Sequence, residues 1–103
     1  MTVAATNERI AKTLALLRRR AAQGLPAPSN DEIAKAIGMG SQRYQPHDRM
    51  RGWRHKSHEA GAVMVLALEY CGLISVERGR NWRRITLLET GQVLHPRRPS
   101  VAA

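Results

Sequence analysis

At 103 residues and 11.5 kDa, the chain has room for one compact domain, which excludes a multidomain enzyme. Seventeen Lys and Arg against eight Asp and Glu give a net charge of +9 at pH 7 and a pI near 11.3, so the surface attracts polyanions and nucleic acid is the leading partner class. The single cysteine, Cys71, excludes an internal disulfide and suits a reducing compartment. The opening MTVAATNERIAK lacks the basic start and the roughly 7 to 15 apolar residues of an export signal. The longest apolar stretch, residues 62–74, is interrupted by Glu69 and Gly72 and falls short of the roughly 20 residues of a bilayer span. No membrane association and a cytoplasmic, nucleoid-associated location are the expectations.

In chain order, residues 1–5 read as a disordered N-terminus, and Thr6 as the cap of a first helix. Its apolar positions Ile10, Leu14, Leu17 and Ala21 make one stripe at helical spacing, ending near Gly24. Arg9, Lys12, Arg18, Arg19 and Arg20 occupy the other face, as solvated charges or phosphate contacts. A linker with two prolines, LPAPS, leads to Ser29, and Glu32 three residues later completes a capping box for a short helix closed by Gly38. Ile33, Ala34 and Ile37 give that helix a narrow apolar edge. Residues 39–56 have no apolar stripe and read as a mobile basic loop, with Tyr44 and Trp53 among its arginines and Pro46 suited to opening a helical turn.

Ser57 is the expected cap of a third helix, with Glu59 in its first turn and Gly72 at its end. Val65, Leu68 and Gly72 are expected to face the core. Ala62, Val63, Met64, Leu66, Ala67 and Tyr70 extend the apolar surface nearly all round, which predicts a second packed surface and hence a homodimer. Residues 73–76 and 83–88 alternate as two strands about the turn Gly79, Arg80, Asn81. The tail 95–103, HPRRPSVAA, reads as disordered.

Helix, short capped helix, third helix and β-hairpin is the order of a winged helix-turn-helix domain, and the residues resemble that family. GLPAPSNDEIAKAIG is similar to the segment of LexA-type repressors in which a Pro-Ser capped helix opens the helix-turn-helix. KSHEAGAVMVLALEYCGLISVERGRNWRRITLL resembles their third helix and wing, with Ser57 at the capping serine, Val65 and Leu68 at core positions, and Ile85 and Leu87 in the last strand. GLISVERGRNWRRITLLETGQVL equally resembles the wing region of MarR-type regulators. The resemblance covers residues 9–94 and implies an α+β fold, three helices followed by a β-hairpin wing, that binds double-stranded DNA as a repressor-like transcriptional regulator. The self-cleaving domain of the LexA-type repressors has no counterpart in these 103 residues. The loop 39–56 far exceeds the about 3–4-residue turn of the motif. Where the family reads bases with polar residues, the third helix offers Ser57, His58 and Glu59, then Ala60, Gly61, Ala62 and Val63.

The DNA-contacting set expected on these grounds has three parts. Arg43, Arg49, Arg51, Arg54 and Lys56 neutralise phosphates or read guanine from the loop. Ser57, His58 and Glu59 act at the helix terminus. Arg78, Arg80, Asn81, Trp82, Arg83 and Arg84 act on the wing, with Arg80 suited to a narrow minor groove. Zinc ligation by His47, His55, His58 and Cys71 is disfavoured because Cys71 falls in an apolar helix, where a thiol is buried packing. No nucleophilic elbow or P-loop occurs, and Asp31 with Glu32 is explained by a helix start, so no catalysis, metal or cofactor is expected. An RNA-binding or ribonucleoprotein assembly protein is the alternative, with Trp53 and Trp82 available to stack on bases. A protein-binding adaptor is the third reading.

Overall fold

The apolar stripe of the first helix does what its spacing predicts. Leu14 and Leu17 are buried and Ile10 and Ala21 pack at the margin of the core, joined by Leu16. The computed structural model describes residues 3–39 and 56–97. Among them the chain is α+β: α1 (Val3–Gln23), α2 (Asn30–Ala36) and α3 (Lys56–Tyr70) precede β1 (Ile74–Gly79), β2 (Trp82–Leu87) and β3 (Val93–Leu94). The strands form one antiparallel sheet in the order β1-β2-β3, with Ile74 opposite Leu87, Arg78 opposite Arg83, and Ile85 opposite Leu94. No described helix is long and apolar enough to cross a membrane.

One core joins these layers. Leu17 of α1, Ile33 of α2, Leu68 of α3 and Ile74, Ile85, Leu87 and Leu94 of the sheet are almost completely buried. Each such side chain stabilises the fold by about 1.5–3 kcal/mol relative to an exposed position. Thr13 is also buried, and its hydroxyl donates to the Arg9 carbonyl one turn back at 2.8 Å, which removes the cost of burying it.

Several expectations need correction. α1 begins at Val3, not after a cap at Thr6, so residues 3–5 are helical instead of disordered; two alanines in that turn favour it. α3 begins at Lys56, one residue before the serine expected to cap it. Gly72 is exposed, not in the core: it has a φ of 74° just beyond α3, while the Leu73 N–H closes the helix end on the Leu68 carbonyl at 3.0 Å. Met64 takes the core place beside Val65 and Leu68. β1 runs on to Gly79, the hairpin loop is the two residues Arg80 and Asn81, and Leu88 lies exposed beyond β2.

The described part of the tail, residues 95–97, packs on the domain, which the expected disorder does not allow for. β3 adds a third strand, the His95 carbonyl accepts from the Ala27 N–H at 2.9 Å, and Arg97 pairs with Glu32. The α1–α2 linker is thereby pinned along the end of the sheet, with Ala27 and Pro28 buried. The loop placed at 39–56, including Arg43, Tyr44, Pro46, His47, Arg49, Arg51, Trp53, Arg54 and His55, falls almost wholly outside the described residues, as do the side chains of Lys56, Ser57 and His58 and the tail beyond residue 97.

Gly61 sets how closely α3 approaches α2. A Cβ there would lie 2.1 Å from the Asn30 carbonyl oxygen and 2.5 Å from its Cα, both backbone atoms that cannot swing aside. Gly61→Ala should therefore force the two helices apart and cost at least the about 1–3 kcal/mol typical of overpacking. The measurement is urea denaturation of both proteins, and an unchanged midpoint would refute this contact.

Candidate nucleic-acid interface

The hairpin after α3 carries the basic residues singled out on the wing, and the structure gives them different tasks. Arg80 is exposed at the tip and makes no hydrogen bond or ion pair among the described residues. Asn81 follows it with a φ of 66°, the left-handed region in which asparagine is better tolerated than most side chains. The Trp82 ring lies across Gly79, where a Cβ would come within 2.0 Å of it, so only glycine at that position lets the indole fold over the neighbouring strand. The Arg84 guanidinium stands 5.7 Å from the Trp82 ring centre and also pairs with Glu77.

Arg78 and Arg83 face one another across the hairpin on its other side. Arg78 donates to both carboxylate oxygens of Glu69, at 3.2 and 2.8 Å. These bonds hold Glu69 below the usual carboxylate range and raise Arg78. Arg83 is half-buried and donates to Asn30 Oδ1 at 2.6 Å and to the Pro28 carbonyl at 3.0 Å. Burial, and then the like charge of Arg78, lower its pKa. The guanidinium expected to touch phosphate thus ties the sheet to the start of α2. One signal was available: Arg83 shares strand parity with Ile85 and Leu87, so it belongs to the inner face.

The arginines of α1 divide in the same way. Arg18 holds Glu89 through Nε at 2.5 Å and Nη2 at 3.0 Å. Arg20 reaches the Pro26 carbonyl at 3.3 Å and pairs with Glu32. Arg19 is left exposed. Glu32 is consequently shared: it accepts from Arg20, from Arg97 and from the Ser29 backbone N–H, while its own N–H donates to Ser29 Oγ. The expected capping box is therefore present and carries two further cations.

On α3, Glu59, Val63, Leu66 and Tyr70 are exposed at spacings of four, three and four, which places them on one outer stripe. The apolar members are 55%, 57% and 95% exposed. Ala62 and Ala67 flank them. Cys71 is exposed just past the helix, not buried in it as expected. The structure thus brings Arg78, Arg80, Asn81, Trp82, Arg83 and Arg84 together on one hairpin, with Glu59 on α3. It leaves Arg80 as the hairpin cation without an internal partner among the described residues.

No protein-family model matches the chain, and neither a curated protein nor a solved structure matches it.

Burial alone would raise the Glu32 carboxyl, but the Ser29 N–H and the positive charges of Arg20 and Arg97 outweigh it and hold the group below the usual carboxylate range. A depressed carboxylate stabilises the fold above its ordinary pKa and loses that contribution as pH falls through the lowered one. Glu32→Gln should therefore destabilise the protein at pH 7. The wild type should converge on the variant as both are acidified to below the carboxylate range. Thermal melts across pH 2–7 check this, and parallel curves for the two proteins would refute it.

Proposed function

We propose that the chain is a winged helix-turn-helix protein that binds double-stranded DNA and acts as a repressor-like transcriptional regulator, without catalysis. The observation that carries this reading is the tip of the hairpin directly after α3, where Arg80 projects without an internal partner among the described residues and Asn81 stands beside it. The order of the three helices and the hairpin, the net charge of +9 and the resemblance of residues 9–94 support it.

Affinity then rests on Arg80 together with Arg43, Arg49, Arg51, Arg54 and Lys56, whose charges face little competition from the single acid among them, Asp48. Arg78 and Arg84 are matched by Glu69 and Glu77, and Arg83 braces the hairpin against the start of α2. Glu59 is suited to accept from a cytosine amino group and unsuited to phosphate. Base reading by the middle of α3 is disfavoured by its outer stripe of Val63, Leu66 and Tyr70.

That stripe favours a second copy of the chain as its occupant. Laid antiparallel about a two-fold axis near Leu66, two such helices place Val63 of one copy opposite Tyr70 of the other, and the flanking alanines allow close approach. A dimer built this way presents two wings to a pair of related half-sites.

Arg80→Ala should weaken duplex binding and reduce the slope of log affinity against log salt by about 0.9, the share of one phosphate contact. Arg84→Ala should change the slope less, because its charge is already matched by Glu77. Fluorescence anisotropy at several salt concentrations, with duplex DNA and hairpin RNA as competing probes, tests both. Preference for the RNA, or no binding to either, would overturn the DNA reading. Sedimentation of the wild type and Leu66→Glu should show a dimer reduced to monomer; a monomeric wild type removes the dimer.

A further inference from the structure

Between the hairpin and the start of α2 lies a cleft of about 450 Å³, a volume within the range of small-molecule sites. Arg78 of β1, Arg83 of β2 and Arg97 of the segment after β3 all line it, with Asn30, Asn81 and Trp82. Among the described residues, no carboxylate lines it. Arg78 and Arg97 have carboxylate partners, Glu69 and Glu32, outside the lining. Arg83 has only the neutral oxygens of Asn30 and Pro28 among its described partners. A half-buried guanidinium compensated by neutral acceptors alone, with two further arginines around one cavity, leaves local positive charge that an anion would neutralise.

The planar fork of arginine matches phosphate oxygens two at a time, and several forks from separate elements can surround one phosphoryl group. Trp82 adds an aromatic surface to the same lining. We propose that this cleft is a phosphoryl-binding site that seats the phosphate of a nucleotide-sized group. The same chemistry is supplied by a free nucleotide or by one residue of a bound strand's backbone. Arg80 is not part of the lining, although its neighbours Gly79, Asn81 and Trp82 are, and the monophosphate titration tests the cleft without reference to duplex binding.

The test is isothermal titration of the full chain at physiological salt with the four nucleoside monophosphates, inorganic pyrophosphate and the matching nucleosides, alongside anisotropy with a short duplex. Arg78→Ala/Arg97→Ala removes two cleft cations at exposed positions. Arg19→Ala/Lys35→Ala removes equal charge elsewhere, and circular dichroism verifies that both are folded. Arg83→Lys serves as a third variant, because Arg83→Ala would also release α2.

Expected is saturable binding of at least one monophosphate but not its nucleoside, weakened about tenfold or more in the cleft double variant, as loss of a charge-assisted hydrogen bond predicts. It should remain unchanged in the control double variant. If no monophosphate binds but the cleft variant loses more duplex affinity than the control, the backbone supplies the phosphoryl group. The proposal is overturned if monophosphates and duplex each bind the two double variants equally well.

Discussion

The first turn of α2 is the constraint on which the other elements depend. Five consecutive residues, from Pro28 to Glu32, meet α1 through Arg20, α3 through Gly61, β2 through Arg83 and the segment after β3 through Arg97. α2 has only 7 residues, too few to be stable in isolation. Its capping box and these contacts hold it in place, and it in turn fixes where α3 and the hairpin sit. Individually an exposed ion pair such as Arg97–Glu32 contributes little, about 0–1 kcal/mol. The effect of these contacts is positional, because they converge on one short stretch of backbone whose approach to α3 permits no side chain at Gly61.

This arrangement accounts for the unequal roles of the arginines. A chain with +9 net charge invites the view that its cations all face a polyanion, yet several of them neutralise the few carboxylates or brace the backbone. Arg83 is the clearest case: a charge on the inner face of a strand, desolvated and bonded to neutral oxygens. Among the described residues a smaller set remains without an internal carboxylate, with Arg80 at the hairpin tip and Arg83 in the cleft, where we propose that a phosphoryl group binds. The outer stripe of α3 adds an apolar surface in place of the polar one that base reading by that helix would require.

Much of the fold was legible because it depends on local chemistry. Ser29 and Glu32 announce a capped helix start through spacing alone, Leu14 and Leu17 declare the buried side of α1, and the alternation about Ile85 and Leu87 identifies a strand. β3 was not legible, since two residues carry no period, and its pairing with β2 is decided by the turn that follows Leu87. Thr13 lies off the apolar stripe and is nonetheless buried, its hydroxyl satisfied by the carbonyl one turn back. Of the site residues, the hairpin grouping from Arg78 to Arg84 could be read, and strand parity marks Arg83 as inward, whereas the carboxylate partners of Arg78 and Arg84 could not.

The sequence by itself determined the charge balance, the capping box at Ser29, the glycines that end the helices and the inward-facing sides of α1 and β2, all properties set within a few residues of chain. Only the tertiary structure decided what Gly61 is for, which of the described arginines hold internal carboxylates, and that a cleft forms between the hairpin and α2. These depend on distances between residues such as Arg83 and Asn30, more than fifty positions apart. Local periodicity carries no information about such pairs; they come together only when the shared core brings helix and sheet into contact.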